Sequence, residues 1–181
     1  MKNIFVLILS LLFINAFAVE LDGIKFDDKV KLENKDLVLN GIGIRKATIF
    51  KVKVYYGGLY VENKTSDYNA ILNSVAPKQI IMNFVHDAPA KKLKSAFSDG
   101  IENANKSYEQ YKGQLEKFIS CIPDVVVGDK FVINFLTDGV QLNAKGKVCE
   151  KVNGADFSKA LLSIWFINPA DENLKKGLLG Q

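Results

Sequence analysis

Apolar and polar positions divide the chain into a strand-rich first part, a helical middle, a hairpin and a helical end. Ile24-Lys25-Phe26 and Val30-Lys31-Leu32 alternate with a period of two, and Leu37-Val38-Leu39 follows. That pattern predicts short strands with one wetted face. Asn40-Gly41 then predicts a turn. The clearest strand signal runs from Phe50 to Val61, with Val52, Val54 and Tyr56 expected on one face and Lys51, Lys53 and Tyr55 on the other. Gly57-Gly58 inside it leaves room for a bend or for the close approach of another group. A further strand is expected from Gln79 to Val85, punctuated by Pro77 before it and Asp87-Ala88-Pro89 after it.

After Pro89 the period changes. Leu93, Ala96, Phe97, Ile101 and Ala104 recur at helical spacing, and Tyr111, Leu115, Phe118 and Ile119 continue it, so two helices broken near residues 105–107 are predicted. Lys130 to Leu136, the turn Thr137-Asp138-Gly139 and Val140 to Asn143 make a hairpin, whose return strand is expected to extend through Gly146 to Val152. Asp156 is expected to cap a helix burying Phe157, Ala160, Leu161, Ile164 and Trp165. Asn168-Pro169 is expected to open the last helix as cap and first residue. This order describes an α+β domain with helices packed on one face of an antiparallel sheet.

The N-terminus reads differently from the rest. Lys2, the apolar run from Ile4 to Ile14 and the pattern Ala16-Phe17-Ala18 are those of a cleaved secretory signal peptide over residues 1–18. The run is too short to span a bilayer, which takes roughly 20 residues. Residues 19–181 are then expected to form one domain in the periplasm, with no linker or repeat to divide it. The formal charge of +4 drops by one without Lys2, and the lysines are scattered instead of clustered, which argues against nucleic acid as a partner.

Export puts Cys121 and Cys149 where a disulfide can form, and the residues leave open whether they are bridged or separately buried thiols. The single histidine, His86, and two distant cysteines make no metal-ligand cluster. No Gly-x-Ser-x-Gly elbow, phosphate-binding glycine loop or His-Glu-x-x-His motif occurs, so neither a cofactor nor a metal is implied. His86, at a strand end, reads as an edge residue. Lys91-Lys92-Leu93-Lys94 reads as a solvated helix face, or as a basic rim that attracts acidic ligands or touches anionic lipid headgroups.

Four passages in order, Leu39-Asn40-Gly41-Ile42-Gly43-Ile44-Arg45, Lys53 to Val61, Gly154 to Trp165 and Pro169 to Gly180, resemble the chalcone isomerase-like family in its bacterial, exported branch. The resemblance implies an open-faced β-sandwich, a large curved antiparallel sheet carrying helices on one face, with a cleft between them. Members of that family either cyclise chalcones or bind fatty acids, and the fold alone does not choose. The resemblance places Arg45 in the cleft, where a guanidinium grips a carboxylate through paired hydrogen bonds or polarises a carbonyl. It also places Tyr55 there, at a position that is threonine in the plant isomerases and tyrosine in fatty-acid-binding members. Lys94 matches an enzyme lysine and Ser163 a cleft hydroxyl, but the enzymes' tyrosine position reads Lys91 and their asparagine is not recovered.

Three functions from different classes follow. The first is a periplasmic binding module for a fatty acid or similar amphiphile with an acidic or carbonyl head, held by Arg45 and Tyr55 with Lys94 and Ser163 nearby. The second is an isomerase or intramolecular lyase in which Arg45 is the catalytic group, polarising an unsaturated carbonyl compound. The third is an envelope interaction protein without a pocket.

Overall fold

The computed structural model describes residues 18–47 and 50–181. The segment read as a signal peptide, apart from Ala18, lies outside the described residues. Among the described residues ten strands form in chain order: β1 (Ala18–Leu21), β2 (Ile24–Asp27), β3 (Lys29–Leu32), β4 (Lys35–Ala47), β5 (Val52–Val61), β6 (Lys78–Phe84), β7 (Lys130–Leu136), β8 (Gly139–Ala144), β9 (Lys147–Val148) and β10 (Val152–Asn153). Strands β3 to β8 with β10 make a curved antiparallel sheet in the order β10-β8-β7-β6-β5-β4-β3, with β9 paired to β8. Helices α1 (Tyr68–Asn73), α2 (Ala90–Ala104), α3 (Lys112–Ser120), α4 (Ala155–Leu162) and α5 (Glu172–Leu178) build the main core against it. The hairpin β1–β2 is a separate two-stranded sheet. Its Phe26 joins Leu37, Leu39, Tyr56 and Tyr60 in a second, smaller core. The α+β, open-faced arrangement expected from the sequence is present.

Two irregularities in the β4–β5 pair correct the sequence expectations. Asn40-Gly41 is no turn: β4 runs straight through it, and pairing passes from Leu39↔Tyr60 to Gly41↔Leu59, leaving Asn40 as a bulge. The buried Asn40 side chain donates to the carbonyls of Thr65 and Leu178 and accepts from the Thr65 N–H, so tertiary hydrogen bonds replace those of a turn. On β5 the pairing passes from Arg45↔Tyr55 to Lys46↔Lys53, and Val54 is the extra residue. A bulge breaks the alternation of faces. Val54 and Tyr55 therefore both join the helix-side core, while Tyr56 belongs to the other one.

Elsewhere the differences lie at element ends. The chain turns back at Lys145-Gly146, both with positive φ, so β8 stops at Ala144 and does not continue to Val152. The cap of α4 is Gly154, with Asp156 inside the first turn. The cap of α5 is Asp171, not Asn168, because Asn168 takes a left-handed backbone and Pro169 lies before the helix. The short α1, capped by Asp67, gives no periodic signal in so few residues.

Candidate functional site

Along β4, residues of one face recur every second position. Gly41, Gly43 and Arg45 share the face that α5 covers. A Cβ on Gly41 would overlap the Gly177 carbonyl, and one on Gly43 would overlap the Leu174 carbonyl. The two glycines thus let the helix backbone rest directly on the strand. Helix α5 runs antiparallel to β4, so its capping residue, Asp171, arrives beside Arg45, where the glycine track ends.

Arg45, Tyr55 and Asp171 are the ionisable side chains lining a cavity of about 100 Å³ between sheet and helices. The remaining wall is apolar: Met82 from β6, Leu93, Ala96, Phe97 and Gly100 from α2, Ile164 and Trp165 from the 3₁₀ turn Ser163–Trp165, then Pro169, Ala170 and Leu174. Tyr55 is buried, and its hydroxyl accepts a hydrogen bond from Trp165 Nε1 at 3.2 Å. An indole N–H can only donate, so the phenolic proton remains for an acceptor in the cavity. Burial pushes the Tyr55 phenol up to about 12, and the nearby Arg45 charge only partly offsets this, so the group is a donor throughout the neutral range. Edge-on contacts with Phe97 and Phe135 hold the Trp165 ring.

The Arg45 side chain is 24% exposed and lies 3.8 Å from Asp171 Oδ2, an ion-pair separation too long for a hydrogen bond. Among the described residues its one hydrogen-bond acceptor is the Lys46 carbonyl. Asp171, 9% exposed, is fixed independently of the arginine. Its Oδ1 accepts from the N–H groups of Asn173 at 2.9 Å and Leu174 at 3.3 Å, and its Oδ2 accepts from Lys46 N–H at 2.7 Å. The site therefore offers guanidinium N–H groups and one phenol as donors, beside a carboxylate held by three backbone N–H groups.

The other residues singled out in the sequence lie elsewhere. Ser163 is buried but bonded away from the cavity, donating to the Ala160 carbonyl at 2.7 Å and accepting from Asn105 Nδ2 at 3.1 Å. It ties the end of α2 to the end of α4. Lys94 is half-buried on α2, and neither it nor Ser163 lines the cavity, because α2 turns Leu93 and Phe97 inward instead. His86, Lys91 and Lys92 are exposed. Cys121, following α3, and Cys149, following β9, are joined by a disulfide with their Cα atoms 6.2 Å apart. Two residues of the site, Asp171 and Trp165, had no functional reading in the sequence. The signal for the first was Asp171-Glu172-Asn173-Leu174, an N-cap pattern just ahead of an apolar residue. Trp165 was legible only as a buried helical position.

A family model described as chalcone isomerase-like matches residues 18–180. No curated protein sequence matches the chain. Among solved structures, a fatty-acid binding protein of Arabidopsis thaliana superposes with a TM-score of 0.73 at 15% identity, covering 90% of this chain and 96% of that one. At that identity the likeness concerns the fold.

Proposed function

The chain belongs to the chalcone isomerase-like family, and from that premise we propose that it binds a fatty acid or similar small amphiphile with an acidic or carbonyl head. The observation that carries this reading is the pairing of Arg45 and Tyr55, cross-strand partners, at the polar end of an otherwise apolar cavity. Two donors converge on one oxygen-bearing head, and the apolar wall receives the chain behind it. The fatty-acid binding activity named for the Arabidopsis neighbour supports the same reading. A volume of about 100 Å³ is below the roughly 300–1,000 Å³ of small-molecule sites. The cavity thus suits a head and the first few methylenes, and the rest of a long tail lies beyond it.

Binding is preferred over isomerisation because the two cavity groups of a kind that moves protons are held in structural roles: Tyr55 keeps its proton, and Asp171 accepts three backbone N–H bonds as the cap of α5. We also propose that the protein works in the periplasm after cleavage behind Ala18. The signal-like N-terminus supports this, and so does the Cys121–Cys149 disulfide, which suits an oxidising compartment.

Native mass spectrometry and organic extraction of residues 19–181, produced in the periplasm, test the reading. Wild type is expected to carry or take up a fatty acid or a lipid with a carbonyl head. Arg45→Ala is expected to lose about 10- to 100-fold in affinity, the worth of charge-assisted hydrogen bonds. A wild type that comes out empty and takes up no added lipid sinks the proposal.

A further inference from the structure

Resting on that reading, the geometry points to a more selective anchor: we infer that Asp171 makes the site electrically neutral, so that it selects an uncharged carbonyl head over an ionised carboxylate. A protonated carboxylic acid, a ketone or an ester is the class favoured. Arg45 supplies one positive charge and Asp171 one negative charge 3.8 Å away. The other groups that α2 and the 3₁₀ turn present, among them Leu93, Phe97, Ile164 and Trp165, carry no charge, and Tyr55 keeps its proton. Glu172, next on α5, is exposed and faces Lys175. An ionised head would leave a small apolar cavity with a net negative charge, in contact with a second carboxylate.

Nor can the ligand displace Asp171. Its oxygens accept from three backbone N–H groups, so leaving would strip the cap from α5 and the partner from Lys46. A carbonyl oxygen, by contrast, accepts from Arg45 and from the Tyr55 hydroxyl without disturbing the pair. If that carbonyl belongs to a protonated acid, the acid's own O–H can donate to Asp171 Oδ2, which keeps a lone pair beyond the Lys46 bond. Every polar atom of the head then has a partner while the site stays neutral.

Isothermal titration of octanoic acid and 2-nonanone, matched in chain length, against residues 19–181 tests this between about pH 6 and pH 8. The ketone is expected to bind with flat pH dependence. The acid is expected to weaken by about tenfold for each pH unit, as its protonated fraction falls, and to bind less tightly than the ketone at the upper end. Asp171→Asn is expected to abolish that slope and favour the acid. Octanoate binding as tightly as the ketone at about pH 8, with a flat profile in the wild type, would overturn the inference and leave lipid binding standing. Failure of both ligands to bind the wild type would overturn lipid binding and this inference together. The wild-type profile decides the matter even where Asp171→Asn does not fold.

Discussion

Lys78 opens β6 with its side chain buried, and its Nζ donates to the carbonyls of Ser74 and Ala76, both at 2.7 Å, just beyond the end of α1. Two carbonyls satisfy a neutral amine, and burial pulls the group down to about 8. Tyr55 goes the other way, to about 12. The signs follow from which state holds the extra proton. Between about 8 and the ordinary lysine value of 10.5 the unfolded chain holds it at Lys78, so stability rises with pH. Between the ordinary tyrosine value of 10.0 and about 12 the folded chain holds it at Tyr55, so the stability associated with the neutral phenol, intact below that window, is lost. Urea denaturation across the alkaline range is thus expected to show stability climbing to a maximum near pH 10 and then falling. Lys78→Met should flatten the climb, and Tyr55→Phe should soften the fall. A wild type with no climb between about pH 8 and 10 would mean that Lys78 is not held in a dry environment.

At the scale of elements, the contact of α5 with β4 fixes the anchor's geometry. In Gly43→Ala the new methyl meets the Leu174 backbone and, at 2.9 Å, its Cδ1 atom. Backbone cannot yield as a flexible side chain does, so a loss of about 3 kcal/mol is expected, the upper end for overpacking. Because α5 carries both Asp171 and Leu174, lipid affinity should fall with it. Gly113→Ala on α3 is the control: nothing lies within 4 Å of the added methyl, and a gain of about 0.5–1 kcal/mol is expected from helix propensity. Thermal melts and lipid titration on the two variants separate a packing effect from a general one. Equal destabilisation of both would show that the glycine track has no special role.

Across the whole molecule, the disulfide links the end of α3 to the residue directly after β9, over a separation of 28 residues. On the loop-entropy estimate, closing a loop of that length contributes about 3–4 kcal/mol. Replacing both cysteines by serine, or adding reductant, is expected to lower the unfolding free energy by that amount and to leave lipid affinity within about twofold, since neither cysteine lines the cavity. A large loss of affinity in a variant that remains folded would mean that the disulfide shapes the cleft as well as stabilising the fold.

Local physics made much of this legible in the chain. Alternation located most strands of the sheet, helical spacing located α2 and α3 with their break near 105–107, and the turn at Thr137-Asp138 defined the β7–β8 hairpin. The Gly-x-Gly-x-Arg string identified Arg45 through its resemblance, and the same resemblance singled out Tyr55. Features that depend on distant partners were not legible. Asn40-Gly41 satisfies turn chemistry as well as bulge chemistry, and the carbonyl of Leu178 and the backbone of Thr65 decide between them. The faces of β5 could not all be read by counting, because the bulge puts Val54 in the helix-side core with Tyr55, where alternation had placed it with Tyr56. Lys94 and Ser163 occupied plausible positions, yet helix rotation and a hydrogen bond to Asn105 keep them out of the cavity. The sequence by itself determined most of the elements, their order and the charged donor, since these follow from periodicity and residue chemistry. Only the tertiary structure decided that the donor faces a fixed carboxylate, because Arg45 and Asp171 meet through two backbones packed together at glycines far apart in the chain.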